Sequence, residues 1–430
     1  MVSNSQDLYP RYSLILARDA LMPNSLVKNA LGSEYQQKVN ATPASEPMPH
    51  EQILSDTDRE LLELAKQLDV CIKIIGCGGG GSNTINRCVD AGISGAQLCA
   101  INTDAKHLLT IRAPKKILIG RSTTRGMGAG ALPENGEAAA RENDADIRTF
   151  LQGSNIVFVT AGMGGGTGTG SAHYVASIAK EQIRALTVGV VTFPFRAEGT
   201  VRAENAMIGL NKLRSVCDTT IVVPNDKLLE LVPKLPVDAA FKVADEVLMQ
   251  TIKGLTEIIT KPGLVNLDYA DIQTVMKEGG VAFVGIGEAT DDEDDRVKAA
   301  VHEALSSPLL GEINLKDAKG VLIRVVGGPD MTVGEAQRAA QIANDSVNER
   351  ARIIWGCSID PEIEGTIKIL LIVTGASSKY MYGKGGAPTS RLGVLEDDIP
   401  KPKLGGQQKA QSQQRQAAPA YDDDGIDFVR

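Results

Sequence analysis

Six of the nine residues from Gly162 to Gly170 are glycine, within the segment "FVTAGMGGGTGTGSAHYVASIAK" (Phe158–Lys180). An apolar run, "NIVFVT", leads into it, and a helix-like run, "SAHYVASIAK", leads out. Glycine costs roughly 0.5–1 kcal/mol relative to alanine in ordered structure, so such a density needs a reason. A strand–loop–helix unit that binds an anion supplies one. Successive backbone N–H groups in the loop form a nest, and the Thr167 and Thr169 hydroxyls add donors. The chain carries a second unit of this kind. In "IKIIGCGGGGSNTINRCVDAG", Gly76, Gly78 and Gly81 keep a GxGxxG spacing between a strand-like and a helix-like run. Asp104 follows Gly81 by 23 residues, at the end of the next strand-like run, as in dinucleotide-binding folds. No GK[ST] follows this loop, which excludes a Walker loop. A tight strand–helix turn without a ligand remains the alternative for the first loop.

From Val70 onward, short apolar runs alternate with amphipathic stretches. "CIKIIG", "AQLCAIN", "KKILIG", "NIVFVTA", "LTVGVVTFP" and "TTIVVP" read as strands, and helix-like segments separate most of them. This is the pattern of an α/β fold with a doubly wound parallel sheet. Parallel strands bring every strand-to-helix loop to one edge, so both glycine loops face one crevice. A dinucleotide needs one such loop for its pyrophosphate. Two cradles point to a triphosphate held by neutral backbone donors.

The organisation expected is a poorly ordered extension over 1–54, with one short helix near Tyr12–Leu21, and a docking helix over 55–69. Thr57 and Glu60 of that helix form a capping box, and Leu61, Leu64, Ala65 and Leu68 form its apolar stripe. A nucleotide domain follows over 70–235, then a long central helix over 236–260. A smaller α+β C-terminal domain over 261–376 holds the strand-like runs "GVAFVGIGEA", "GVLIRVVGG", "IIWGCSI" and "TIKILLIVTG", with helices at Asp295–Leu305 and Thr332–Val347. Residues 377–420 are rich in Gly, Pro and Gln and read as a flexible linker with a reach of about 33–40 Å. Residues 421–430 end the chain in "DDDGIDFVR", whose Ile426, Phe428 and Val429 are possible anchors or merely a frayed end.

The net charge of −8 and the 4% aromatic content argue against a nucleic-acid partner. Six cysteines without CxxC pairing suit a reduced, cytoplasmic core better than disulfides or zinc, and no protein metal site is expected. No apolar run reaches 18 residues and the N-terminus lacks an apolar h-region, so neither a membrane span nor a secretory signal is expected. Three aspartates near the end also disfavour direct membrane insertion.

At this point the sequence resembles the tubulin/FtsZ superfamily of GTPases, whose signature is "GGGTGTGS", and within it the FtsZ division GTPases of archaeal type. "GCGGGGSNTIN", "INTDA", "RGMGAG", "PFRAEGTVR", "VVPNDKL", "AFKVADEVL", "ITKPGLVNLDYADI" and "SSPLL" carry the resemblance in order, over about 70% of the chain. The resemblance implies GTP and GDP as ligands, with Mg²⁺ held mainly through phosphates and water. It implies that Gly79, Gly80, Gly81, Ser82 and Asn83 line the α/β-phosphate side, and that Gly165, Gly166, Thr167, Gly168 and Thr169 cradle the β- and γ-phosphates. Most relatives have Gly or Asn at Ser82. Glu198 and Arg202 match the ribose side, although an i,i+4 pair is also an ordinary surface ion pair. Asn225 and Asp245 match the guanine-reading positions, with Phe241 packing near the base. Without the resemblance, Phe241 reads as core.

Asn266, Asp268 and Asp271 in "NLDYADI" match the catalytic loop of the family. The alternative is a helix start, with Asp268 capping and Asp271 favoured by the helix dipole. Neither glycine loop carries an obvious water-activating group; His173, read as following the loop, faces the packing. The resemblance therefore implies completion in trans within a head-to-tail homopolymer. It also implies a division-ring scaffold at midcell, with a membrane-tethering adaptor at the terminal peptide. Two rival readings stay open: an NAD(P)-dependent Rossmann oxidoreductase, carried by GxGxxG and Asp104, and a non-catalytic relative that regulates other filaments.

Overall fold

The computed structural model describes residues 70–378, apart from 232–235, 262, 264, 266, 278, 292–294 and 312. The helices and capping box expected before residue 70, the body of the linker, the terminal peptide and Asn266 lie outside the described residues.

All ten strand-like runs form strands: β1 (Ile72–Cys77), β2 (Ala96–Asn102), β3 (Lys115–Leu118), β4 (Ile156–Gly162), β5 (Leu186–Phe193), β6 (Thr219–Pro224), β7 (Gly280–Thr290), β9 (Gly320–Gly327), β10 (Arg352–Ile359) and β11 (Thr366–Thr374). A separate small ladder joins β8 (Ile313–Asn314) to β12 (Ser377–Ser378). The helices are α1 (Gly78–Asp90), α2 (Ala105–Thr110), α3 (Pro133–Glu142), α4 (Asp144–Leu151), α5 (Thr167–Ser177), α6 (Thr200–Val216), α7 (Asn225–Leu231), α8 (Val237–Thr260), α9 (Tyr269–Met276), α10 (Arg296–Leu305) and α11 (Val333–Ser346).

The first six strands are parallel and lie in the order β3-β2-β1-β4-β5-β6. The chain builds outward in one direction from β1 and in the other from β4. β1 and β4 stay paired to Cys77↔Ala161, but the connections leaving their carboxyl ends run in opposite directions and leave a crevice. Both faces of the sheet are covered. On β1, Ile72 and Ile74 join one core, while Ile75 and Cys77 join the other. On β4, Ile156 and Phe158 alternate with Val157 and Val159 in the same way. Burial on both faces is why these strands read as unbroken apolar runs. The long helix α8 buries Val243, Val247, Ile252, Leu255 and Ile258 in the core on one side of the sheet.

The C-terminal strands do not form an isolated sheet. β7 pairs in parallel with β6 from Thr219↔Gly280 to Ile221↔Ala282, so one ten-stranded sheet continues as β7-β11-β9-β10. Antiparallel β11 sits between β7 and β9, giving this half its mixed character. Arg324 on β9 donates to the nearly buried Glu257 of α8 at 2.6 Å, which ties the long helix to this half.

Candidate nucleotide site

Both glycine segments prove to be helix starts. α1 begins at Gly78, so Gly79–Asn83 are helical, and α5 begins at Thr167 rather than after Gly170. Glycine is needed here chiefly because backbones touch. A Cβ on Gly81 would lie 2.4 Å from Thr160 O, and one on Gly170 1.9 Å from Pro133 O. A Cβ on Gly78, whose φ is +73°, would lie 2.5 Å from Gly168 N, so the two helix starts abut. Their free N–H groups and partial positive charge converge on the crevice between β1 and β4.

Two glycines have no such packing reason. A Cβ built on Gly79 or on Gly165 meets no protein atom within 4 Å, and neither residue has a positive φ. Both line open space at the mouth of the crevice. A Cβ there would enter the crevice without striking a protein atom.

The other expected residues gather around a turn that follows β5. Phe195 N donates to Glu198 Oε1 at 2.9 Å, and Glu198 pairs with Arg202. The Arg202 carbonyl lies against Gly164, where a Cβ would come within 2.9 Å. Arg196 N donates to Asp226 Oδ1 at 3.1 Å, which fastens the turn to Asn225 at the start of α7. The Phe195 ring meets Phe241 edge-on at 5.0 Å. Phe241 is 40% exposed and is therefore not core, contrary to its reading without the resemblance. Asp245 lies one helical turn further along α8. Burial pushes its carboxyl up to about 7, against the pull of Arg87, with Glu246 raising it further. Among the described residues no protein donor bonds Asp245. Asn225 Oδ1 and Ser82 Oγ are buried and likewise without partners. These are acceptors, and in the case of Ser82 also a donor, that the protein alone leaves unused.

Thr169 differs from expectation. It is 1% exposed, and its Oγ1 accepts from Gly164 N at 2.9 Å, so it shapes the loop from behind. Gly168 is packed between the Gly162 and Cys77 carbonyls. His173 lies inside α5, with Nε2 3.2 Å from Glu137, and burial lowers its pKa.

The sequence reading missed a third wall. Residues 121–132 cross the second cradle, and a Cβ on Gly166 would meet Ala129 Cβ and Leu132 N at 2.8 Å. Gly128 N donates to Thr103 O, Ala105 N donates to Gly126 O, and the Thr103 and Thr167 hydroxyls sit 2.6 Å apart. Left-handed backbone at Arg125, Gly126, Gly128, Gly130 and Ala131 shapes this wall. The glycine alternation in "RGMGAG" was its only sequence signal. Asp104, which carried the oxidoreductase reading, is used as a helix cap: its carboxylate accepts from His107 N at 3.0 Å.

The aspartates of "NLDYADI" lie elsewhere. Asp268 holds the N-cap position of α9 but makes no capping bond with its side chain. Asp271 lies in the first turn; both are exposed. Neither carboxylate has a hydrogen-bond or ion-pair partner among the described residues. Next to Asp268, Tyr269 donates to Asn155 O at 3.2 Å, just before β4 begins. At the other end of α9, Met276 O accepts from Thr219 Oγ1 at the start of β6. α9 thus spans the amino ends of the strands whose carboxyl ends carry the cradle. The seven residues of β4 separate the two edges by about 20 Å.

Comparison with known proteins agrees with this architecture. The Tubulin/FtsZ family GTPase domain matches residues 71–233, and the FtsZ family C-terminal domain matches residues 280–377. The chain is 53% identical to cell division protein FtsZ 1 of Archaeoglobus fulgidus over 336 residues, 78% of this chain and 90% of that one. It is 52% identical to cell division protein FtsZ of Haloferax mediterranei, over 79% and 90% of the two chains. An empty FtsZ dimer from M. jannaschii superposes with a TM-score of 0.71 at 51% identity, over 75% of this chain and 93% of that one. A GTPγS-bound CetZ2 protofilament from Haloferax volcanii, at 20% identity and a TM-score of 0.63, shares the fold.

Proposed function

Because this chain belongs to the FtsZ family of tubulin-like GTPases, we propose that it polymerises head to tail and hydrolyses GTP between subunits, as the scaffold of a division ring. The single observation that carries this reading is the separation of the two halves of its chemistry. Backbone donors line one edge of the sheet, and the exposed, unpartnered Asp268 and Asp271 stand at the other edge. One subunit cannot bring them together; two stacked in register can.

In this reading, Gly79, Gly80, Gly81, Ser82 and Asn83 serve the α/β-phosphates. Gly165, Gly166, Thr167 and the backbone N–H groups at Gly168 and Thr169 serve the β- and γ-phosphates. Glu198 and Arg202 serve the ribose. Asp245 accepts from the guanine N1 and N2 hydrogens, a pair that adenine does not offer, and Asn225 reads a further polar edge beside Phe241. Asp268 and Asp271, with Asn266, orient the attacking water on the next subunit's GTP. Among the described residues no group of three or more His, Cys, Asp or Glu is arranged to hold a metal ion. Phosphate oxygens and water would hold Mg²⁺, which would offset phosphate charge.

Among the described residues no helix is long and apolar enough to cross a membrane. Attachment at midcell would then fall to an adaptor that reads residues 421–430 across the 377–420 linker. The test of the central reading is GTP turnover per subunit against protein concentration. Turnover near zero on dilution, rising above a threshold, is expected. Turnover independent of concentration would overturn the intersubunit site.

A further inference from the structure

A chain of hydrogen bonds runs from a backbone N–H to Asn83. Asp104 N lies 3.3 Å from Asn102 Oδ1. Asn102 Nδ2 lies 3.1 Å from His107 Nδ1, and His107 Nε2 lies 3.2 Å from Asn83 Oδ1. The direction of the chain follows from its first member. A peptide N–H only donates, so the Asn102 atom facing it is the acceptor oxygen, and the other end of that amide donates. His107 Nδ1 must then accept. The neutral ring carries its proton on Nε2 and donates it to Asn83 Oδ1. The amide nitrogen of Asn83, with two hydrogens, is left without a protein acceptor among the described residues.

The relay is anchored. Asn102 is 3% exposed at the end of β2. The His107 backbone is held on both sides, its N–H by Asp104 Oδ1 and its carbonyl by Thr110 Oγ1 at 2.7 Å. Asn83 itself is exposed on α1 and has two amide orientations open to it. One would present an oxygen to an anionic ligand; the other presents N–H.

We propose that His107 is a positioning residue for the nucleotide site. By donating to Asn83 Oδ1, it fixes that amide as a hydrogen-bond donor toward an anionic oxygen of the nucleotide. The proposal rests on the reading of Asn83 as a nucleotide-side residue. His107 touches no nucleotide atom and acts only through Asn83.

The test is a double-mutant cycle on GDP affinity, read by calorimetry. Asn83→Ala should weaken binding about 10-fold or more, the scale of a hydrogen bond to a charged group. His107→Ala should weaken it about 2- to 10-fold, the scale of ordering one side chain. In the Asn83→Ala background, His107→Ala should add nothing. His107→Gln, whose amide can donate to Asn83 Oδ1, should recover most of the affinity. Additive losses would mean that His107 acts on the fold and not through Asn83, which overturns the relay and leaves the site reading standing. Unchanged affinity in Asn83→Ala would overturn both. A second measurement is independent of binding. At about pH 8.5, nitrogen-15 shifts of the His107 ring, assigned by their loss in His107→Gln, should report a proton on Nε2. A proton on Nδ1 would contradict the relay.

Discussion

The two edges of the sheet are built on opposite principles. At the carboxyl edge the backbone is packed against itself, with Gly78 against Gly168, Gly81 against Thr160 and Gly170 against Pro133. Little there can change without moving a neighbour. At the amino edge, Asp268 at the N-cap and Asp271 in the first turn of α9 stand exposed, and only their backbones are engaged. A phosphate cradle must be preformed, because its donors are weak singly and work by convergence. A carboxylate that acts on a neighbour's substrate must stay unpaired until the neighbour arrives. Rigidity at one edge and unmet bonding capacity at the other are what the proposed site, divided between two molecules, requires.

Substitutions at the two edges should therefore fail differently. The largest effect is expected from Asp271→Ala. If this carboxylate activates water, kcat should fall by about 10²–10⁴-fold, the range for a general base. GTP affinity of the isolated subunit should not change, since Asp271 is a strand length away. A parallel loss of affinity would mean that the edges are not separate.

Gly165→Ser should weaken GTP binding by about 100-fold or more, by pushing several backbone donors off the phosphates. Its nucleotide-free melting temperature should stay close to the parent value, because the added Cβ meets no protein atom within 4 Å. Gly170→Ala, five residues along, should show the reverse signature. Its Cβ strikes Pro133 O, and overpacking of this kind costs about 1–3 kcal/mol of stability. Thermal melts without nucleotide separate the two. Equal melting temperatures would show that the cradle glycines are not divided in this way.

The smallest effect is expected from pH. The Asp245 carboxyl is pushed up to about 7 by burial. Guanine donors need the ionised form, so binding must lower that pKa, and affinity must weaken as pH falls. Protonation of a group with a pKa near 7 makes GTP binding about tenfold weaker at pH 6 than at pH 8. Asp245→Asn should flatten the profile; an unchanged slope would remove Asp245 from the guanine site.

The strands were legible because burial on both faces leaves unbroken apolar runs, as on β1 and β4. The helix starts were not. Glycine reads as loop, yet at Gly78–Gly81 and Gly168–Gly170 the missing Cβ is what allows helices to abut. The continuous sheet was hidden because strand patterns do not name their partners, and β6 meets β7 across a 55-residue connection containing α8. The wall at 121–132 escaped because distant segments fix it: backbone bonds to Thr103 and Ala105, the Glu142 carboxylate on Ser122 and Thr123, and Asn205 on Ala131, pairings that no local pattern reveals. Phe241 was misread without the family resemblance, since an exposed aromatic and a core aromatic look alike in sequence.

The proposed divided site is tested most directly by mixing two defective subunits. Asp271→Ala keeps a good cradle, and Gly165→Ser keeps good carboxylates. At GTP concentrations too low to fill the Gly165→Ser cradle, neither alone should release phosphate from GTP above background. Mixed, with co-assembly verified by sedimentation, a Gly165→Ser subunit can set its intact Asp271 against GTP held by an Asp271→Ala neighbour. The account predicts that phosphate release returns and peaks at an intermediate mixing ratio. Release that stays at background across every ratio, with both variants in the same pellet, would contradict it.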